Sequence, residues 1–396
     1  MHSDLIKQCC RLYRATLLEE VVPFWMRHGF DREYGGISNV VDDAGRALSR
    51  DKYLWSQGRA LWTFSALYNR IEKRKEWLEF ADHIFRYLAA HGRDEKGRWM
   101  YRLDQAGNIV ERDISVYVDG FVMNGLSEYH LAVGSREALE IALQTYGIIS
   151  TLLRTPESYR SAPYEIPPGL KAHGINMIFS FFFYQLGRVA NRADIRAAGL
   201  QLGREILEQF YAPARDAIME YTRLDSKSDD RIHCRTCVPG HAIESLWFLI
   251  SMFEQEKNPA RIRECCRLIR RHIELAWDEE HGGLKLALDI EGRAPPAWNK
   301  PDCKAWWVHV EALVATAFAH LHTRESWCLD WHQRIQKYSW EHFPVPTGEW
   351  TQWLDREGRK IESTALPVKD PFHLSRALIY LIDLFENRIE ERKNKQ

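Results

Sequence analysis

Net charge is nearly absent from this sequence. Its 54 lysines and arginines meet 55 aspartates and glutamates, a formal charge of −1 over 396 residues. A nucleic-acid binder usually carries a basic excess to neutralise phosphates, and this chain has none. Long apolar runs are missing too. The most apolar stretch, residues 174–190 around FSFFFY, is shorter than a membrane span and holds Asn176, Ser180 and Gln185, so it reads as a buried helix. The opening MHSDLIKQCCRLYRATLLEEVVPFW breaks each apolar cluster with charge, so no signal-peptide core is expected there. The eight cysteines are scattered, two pairs of them adjacent, which is no disulfide framework for a chain this long. Cys234 and Cys237 form one CxxC, but no second CxxC completes a structural zinc site. The expectation is free thiols in a reducing, cytoplasmic setting, with no metal. A phosphate loop, a dinucleotide fingerprint and a GxSxG elbow are likewise missing.

What is present is a well-mixed globular composition, 45% hydrophobic and 28% charged, which excludes a disordered chain. Aromatics are plentiful: 15 Trp, 16 Tyr and 17 Phe. They suit either a large core or a cleft that stacks on sugar rings, and composition alone leaves both open.

Most of the chain reads as amphipathic helix, with apolar residues recurring at i, i+3, i+4 and i+7 over 56–73, 77–90, 138–153, 197–210, 242–256 and 262–275. Between helices another signal repeats: a Gly- or Asp-rich turn, a short alternating run that reads as a β-hairpin, then Asp and a second turn. The copies place that aspartate at Asp42, Asp104, Asp225, Asp289 and Asp355. Successive spacings are 62, 121, 64 and 66 residues, so the long gap holds one degenerate copy, near residue 165 at SYRSAPYEIPPG. Six units of about 62 residues, each with room for two helices and a hairpin, must bury their apolar faces on one another. A closed ring needs no polar caps. The expected architecture is therefore all-α, one (α/α)6 barrel over residues 1–396, with hairpins and loops at one face forming a cleft; an open α-solenoid is the alternative.

Two histidines share a topological place. His241, in CVPGHAIESLW, stands at a helix start behind a Pro-Gly turn, with Glu244 three residues on along the same face. A helix N-terminus lowers a histidine's proton affinity, and a neighbouring carboxylate raises it and fixes the tautomer. His373, in VKDPFHLSRAL, likewise opens a helix after a loop. Taken singly, each also reads as an unremarkable helix-start residue. Converging on one cleft, the two make a two-base proton-transfer site. Arg59, among Tyr53, Trp55 and Trp62, reads either as a stabiliser of a developing oxyanion or as a cation packed on aromatics. Trp306, Trp307 and Glu311 read as sugar-stacking residues or as core. A carboxylate pair for glycoside hydrolysis also stays open.

The ordered segments FWMRHGFDREYGG, DKYLWSQGRALWTFSALYN, PGHAIESLWFL, AWDEEHGGL, KAWWVHVEAL, GEWTQWLDREG and FHLSRAL resemble the N-acylglucosamine 2-epimerase superfamily over roughly residues 20 to 385. The resemblance implies an (α/α)6 barrel and a cofactor-independent sugar 2-epimerase. Carried over by motif, it implies His241 and His373 as the acid/bases, Glu244 as the group orienting His241, and Arg59 as the stabiliser of the intermediate. It sets Tyr117, Trp306, Glu311 and Trp350 on the sugar pocket. Mannose isomerases and cellobiose epimerases of the superfamily carry a further His on the middle helix. Here HGINMIFSFFF puts Ile178 in that place, with His173 five residues earlier, and this tilts the reading toward the N-acetylglucosamine epimerase branch. The alternatives are an aldose–ketose isomerase, a 2-epimerase of a non-acetylated sugar, a glycoside hydrolase, and a non-catalytic binding protein. The resemblance allows ATP or another nucleotide as activator and leads one to expect a homodimer.

Overall fold

A computed structural model describes residues 2–225, 229–293, 296–361 and 368–389. Fourteen α-helices account for most of them: α1 His2–Ala15, α2 Val22–His28, α3 Leu54–Arg70, α4 Lys75–His91, α5 Val116–Val133, α6 Arg136–Leu152, α7 His173–Val189, α8 Ala193–Glu205, α9 Ile232–Arg235, α10 Pro239–Gln255, α11 Pro259–Ala276, α12 Trp306–Thr323, α13 Ser326–His342 and α14 His373–Asp383. Each segment expected to be helical is one, to within a few residues at its ends. Periodicity fixes which face is buried, whereas caps set the ends. α11 shows this: Asn258 accepts from Arg261 N–H, and Pro259 follows at a position where its missing N–H costs nothing.

Six helices form an inner ring. α3 packs on α5, α5 on α7, α7 on α10, α10 on α12, α12 on α14, and α14 returns to α3. The outer helices α4, α6, α8, α11, α13 and α1 each back one inner helix. The inner helices are buried nearly all round, as α12 is from Val308 to Leu321, while an outer helix such as α11 keeps a polar outward face. The closed ring, not the open solenoid, is what forms.

The repeated aspartates make repeated turns. Asp42, Asp104 and Asp355 each take the backbone N–H four residues on, at 2.8–2.9 Å, while the glycine three residues on donates to the aspartate's own carbonyl. Those glycines, Gly45, Gly107 and Gly358, have φ of 78°, 94° and 84°, a conformation a Cβ would strain. The turn after Asp225 lies outside the described residues. The degenerate copy near residue 165 forms no such hairpin; its backbone meets the start of α5 through a Ser115–Ser161 bridge.

The short strands also do something beyond hairpins. The residues leading into four of the inner helices pair with the hairpin of the next unit: Lys52 with Leu103, Lys171 with Thr222, Thr236 with Asp289, Lys304 with Leu354. The last link closes the circle, where Lys369 N–H donates to Asn39 C=O at 2.8 Å. These links stitch the N-termini of the inner helices together at one face of the barrel. Two of them are pinned by buried ion pairs of the same design, Lys52 on Asp31 at 2.8 Å and Lys304 on Asp278 at 3.2 Å.

Candidate functional site

The stitched face holds a cleft, and the residues that inner helices give to it all lie in their first two turns: Trp55 and Arg59, Tyr117 and Phe121, Met177 and Ile178, His241 and Glu244, Trp306 and Trp307, and His373. The positive ends of six helix dipoles therefore converge on it, which favours negative charge inside.

His241 and His373 both line the cleft and share a neighbour. The Trp307 ring lies 5.2 Å from the His241 ring, nearly parallel, and 5.8 Å from the His373 ring. Gly240 makes this possible, because a Cβ there would stand 2.6 Å from the Trp307 ring. The Pro-Gly pair read from sequence as a turn is in fact the first turn of α10. Pro239 suits an N-terminal position that needs no N–H, and Gly240 admits the indole.

Each histidine rests on a carboxylate through Nδ1, at 2.9 Å, leaving Nε2 as the outward nitrogen. The partner of His373 is Glu311. The partner of His241 is Glu220, not Glu244. This corrects the orienting role expected for Glu244. His241 and Glu244 do share a helix face, but Glu220 sits in the hairpin ahead of α9, with its backbone tied to Thr236 and His173, and that brings its carboxylate to the imidazole. Glu244 instead meets the Arg376 guanidinium, which also donates to Glu311 at 2.7 Å. Glu311 is fully buried and accepts from Trp247 N–H as well, at 2.9 Å. It is therefore not a wall of the sugar pocket, as expected, but the support beneath His373. Trp350 is not on the cleft either: it is 1% exposed, packed against Phe343 and Trp340. Its place in an alternating run points its ring into the core beside the barrel.

The surroundings drive the two histidines in opposite directions. Burial would strip the proton from His241, but the Glu220 carboxylate, by charge and hydrogen bond, outweighs burial and raises its proton affinity above the usual value. Burial pushes His373 down to about 3; Glu244 opposes this, and Arg59 and Arg376 reinforce it. Burial would raise Glu220, yet His241 and His173 hold it down to about 2. Burial raises Glu311, with Arg376 opposing.

Arg59 reaches the cleft from α3. Its guanidinium lies 4.0 Å over the Phe121 ring and 3.2 Å from Asp370, which Ser56 also holds at 3.0 Å. The packing of the Arg59 cation on aromatics, one of its two sequence readings, is what these contacts show, and the residue also lines the cleft. Its Nε–H and the Trp55 indole N–H, one turn apart on α3, are buried without a hydrogen-bond partner among the described residues. Tyr117 and Trp306 line the cleft as expected, and so does Ile178. His173 does not line it; it lies behind, 3.1 Å from Ser245 and 3.9 Å from Glu220.

Among the described residues, Glu244, Glu311 and His373 bring three ligand-type atoms within 4.8 Å of one another. Arg376 already occupies the space between the two carboxylates and supplies their positive charge, so this is an ion-pair network and not a metal cradle. The carboxylates of the cleft wall are each engaged: Glu220 by His241, Glu244 by Arg376, Asp370 by Arg59.

Sequence reasoning missed Glu220, Arg376 and Asp370. Arg376 was legible as the helical neighbour of His373 at i+3, and Asp370 as a polar residue just ahead of it. Glu220 carried no signal, because nothing local ties a hairpin residue to a helix 21 positions on.

A sequence model of the family described as N-acylglucosamine 2-epimerase (GlcNAc 2-epimerase) matches residues 35–377. The N-acylglucosamine 2-epimerase of Bos taurus is 27% identical over 94% of this chain and 90% of its own length. The cellobiose 2-epimerase of Dictyoglomus turgidum is 32% identical over 75% of this chain and 78% of its own. The structure of cellobiose 2-epimerase from Bacillus thermoamylovorans B4167 superposes with a TM-score of 0.83 at 22% identity, covering 95% of this chain and 99% of that one.

Proposed function

This chain belongs to the N-acylglucosamine 2-epimerase family, a family of sugar 2-epimerases, and from that premise we propose that it interconverts the C2 epimers of an aldose, N-acetylglucosamine and N-acetylmannosamine first among them, by passing the C2 proton between His373 and His241. The observation that carries the reading is the pair of imidazoles flanking one indole, with their proton affinities driven in opposite directions.

The C2 proton is acidic only in the open-chain aldehyde, where the carbonyl takes up the resulting charge, so the sugar ring opens first. Neutral His373 removes the proton, giving an enolate, which is a cis-enediolate where C2 carries a hydroxyl rather than an N-acyl group. The Arg59 guanidinium and the converging helix N-termini stabilise the oxyanion; one such donor is worth about 3 kcal/mol or more in a cleft shielded from water. Protonated His241 delivers a proton to the opposite face of C2, and the epimer forms. Where C2 carries a hydroxyl, delivery to C1 instead gives the ketose, so epimerase and isomerase of such sugars share the intermediate and differ in where the second donor stands. Only protons move, so the proposed reaction calls for no redox cofactor; a nucleotide such as ATP enters it only as an activator. The apolar surface that Ile178 gives the cleft supports a substrate with an N-acyl group at C2. The eight free thiols support a cytoplasmic setting, and a homodimer is part of the proposal, read by light scattering.

Proton NMR in D2O with N-acetylmannosamine, mannose and cellobiose tests the reading. Deuterium at C2 together with the 2-epimer is the expected result, strongest for N-acetylmannosamine. Fructose from mannose makes the protein an isomerase, and no exchange with any of the three overturns the proposal.

A further inference from the structure

Two aromatic rings at the mouth of the cleft take no part in the proton transfer. Tyr164 and Trp298 are 134 positions apart in the chain, yet their rings stack at 5.6 Å and 13°. Both line the cleft, and Tyr164 is also 45% exposed, so the stack has the cleft on one side and solvent on the other. Trp298 sets its edge against the His241 ring, at 5.9 Å and 87°. Each ring is tied to an element that builds the site. Ala297 N–H donates to Thr236 Oγ1 at 2.9 Å, just ahead of α10, which carries His241. On the other side, Ala162 N–H donates to Ile114 C=O at 3.1 Å and Val116 N–H to Arg160 C=O at 2.9 Å, which fastens the Tyr164 loop to the start of α5, the helix of Tyr117 and Phe121. The stack thus bridges two walls of the cleft beside the reacting centre.

We propose that Tyr164 and Trp298 form a two-ring cap that ends the cleft one sugar ring from the histidines, so that this chain acts on single-ring aldoses and excludes those carrying a glycosyl group on O4. The inference rests on the epimerase reading. With C2 held between His241 and His373, the rest of the same sugar ring fills the space out to Trp298, and its C–H face packs on the stack. A second ring on O4 has to displace the stack and forfeit both the ring pairing and the loop anchors.

The test compares C2 deuterium exchange in D2O for N-acetylmannosamine and for the same sugar bearing a β-galactosyl group on O4. The wild type is expected to favour the monosaccharide by about 100-fold in kcat/KM, a difference of about 2.7 kcal/mol. Trp298→Ala and Tyr164→Ala are each expected to raise KM for the monosaccharide about tenfold, with a smaller change in kcat, and to shrink the preference to tenfold or less. Tyr164→Phe keeps the ring and should keep wild-type selectivity. A wild type that exchanges the two sugars within tenfold of each other, or prefers the disaccharide, overturns the cap and makes the stack a platform for a second ring. Alanine variants that fold and leave the ratio unchanged overturn it as well. If no sugar is exchanged, the epimerase reading fails, and the cap is then decided by binding. Tryptophan fluorescence titrations of wild type and Tyr164→Ala with both sugars must show discrimination in the first and less in the second, and any other pattern overturns it.

Discussion

His241 and His373 make the same local contact in opposite surroundings. Each donates through Nδ1 to a buried glutamate at 2.9 Å, each stands in the first turn of an inner helix, and each touches Trp307. The carboxylates differ in what else they hold. Among the described residues Glu220 otherwise meets another histidine, His173, and no cationic lysine or arginine partner, so its charge acts on His241. Glu311 shares its charge with Arg376 and Trp247, and His373 also feels Arg59. One geometry thus yields a proton holder and a free base, and the difference is set a layer behind the imidazoles. The transferable point is that a histidine's role is read from its carboxylate's other partners.

The largest effect comes from removing either imidazole. His241→Asn and His373→Asn should each cost about 10²–10⁴-fold in turnover, with an unchanged circular dichroism spectrum. They also break the comparison in a directional way. With His241 gone, C2 exchange should survive for the epimer whose proton faces His373, and with His373 gone, for the other. Exchange of both epimers by one single variant would mean that one base serves both faces.

Arg376→Met attacks the side of His373. It leaves Glu244 and Glu311 buried without their cation, and breaking such a network costs about 3–5 kcal/mol, read by urea unfolding. Loss below 1 kcal/mol would show that the two carboxylates carry no charge to compensate. Glu220→Gln attacks the other side more gently. It keeps the hydrogen bond and removes the charge, so burial acts on His241 with the weaker pull of Glu244 against it, and its proton affinity falls.

That difference has a sign in the pH profile. As the acid, His241 must be protonated, and its raised affinity puts the loss of kcat/KM on the alkaline side. His373 must be neutral, and its value near 3 leaves no loss on the acid side from its own titration until far below neutrality. The wild type should therefore lose activity as pH rises and hold it as pH falls through 6. Glu220→Gln should move the alkaline limb to lower pH, because the main group that raises His241 loses its charge. A bell centred on neutrality, or a limb that stays put in the variant, would reject the assignment of acid and base.

How much of this was legible before the structure follows the same division between what is local and what is not. The barrel was, because Asp-x-x-Gly turns recur at 62–66 residues and each needs an aspartate and a glycine at fixed positions. His241, His373 and Arg59 were, because helix starts announce themselves. The cross-unit pairing of Lys52 with Leu103 was not, since two-residue strands carry no pattern. Nor was the choice between Glu220 and Glu244 for His241. Helical spacing names the nearer carboxylate, but side chains at i and i+3 can share a face and still turn to different partners, and Arg376 claims Glu244. Trp350 failed for a related reason: its motif is shared with cleft residues, but the alternation within its run sends the ring to the core.

The smallest change touches what the two histidines have in common. Gly240→Ala places a methyl where the Trp307 ring now lies, 2.6 Å from its edge, so the indole must shift by some tenths of an ångström. Neither carboxylate is near that contact. The expected result is a loss of severalfold in kcat and about 1–3 kcal/mol of stability from overpacking, with the alkaline limb where the wild type has it. This separates the spacing of the imidazoles from their charge. Glu220→Gln moves the limb and leaves the indole in place, while Gly240→Ala moves the indole and leaves the limb. If Gly240→Ala also shifts the limb, the indole itself sets the proton affinity of His241, through its face against the imidazolium, and the carboxylates explain less of the asymmetry than their hydrogen bonds imply.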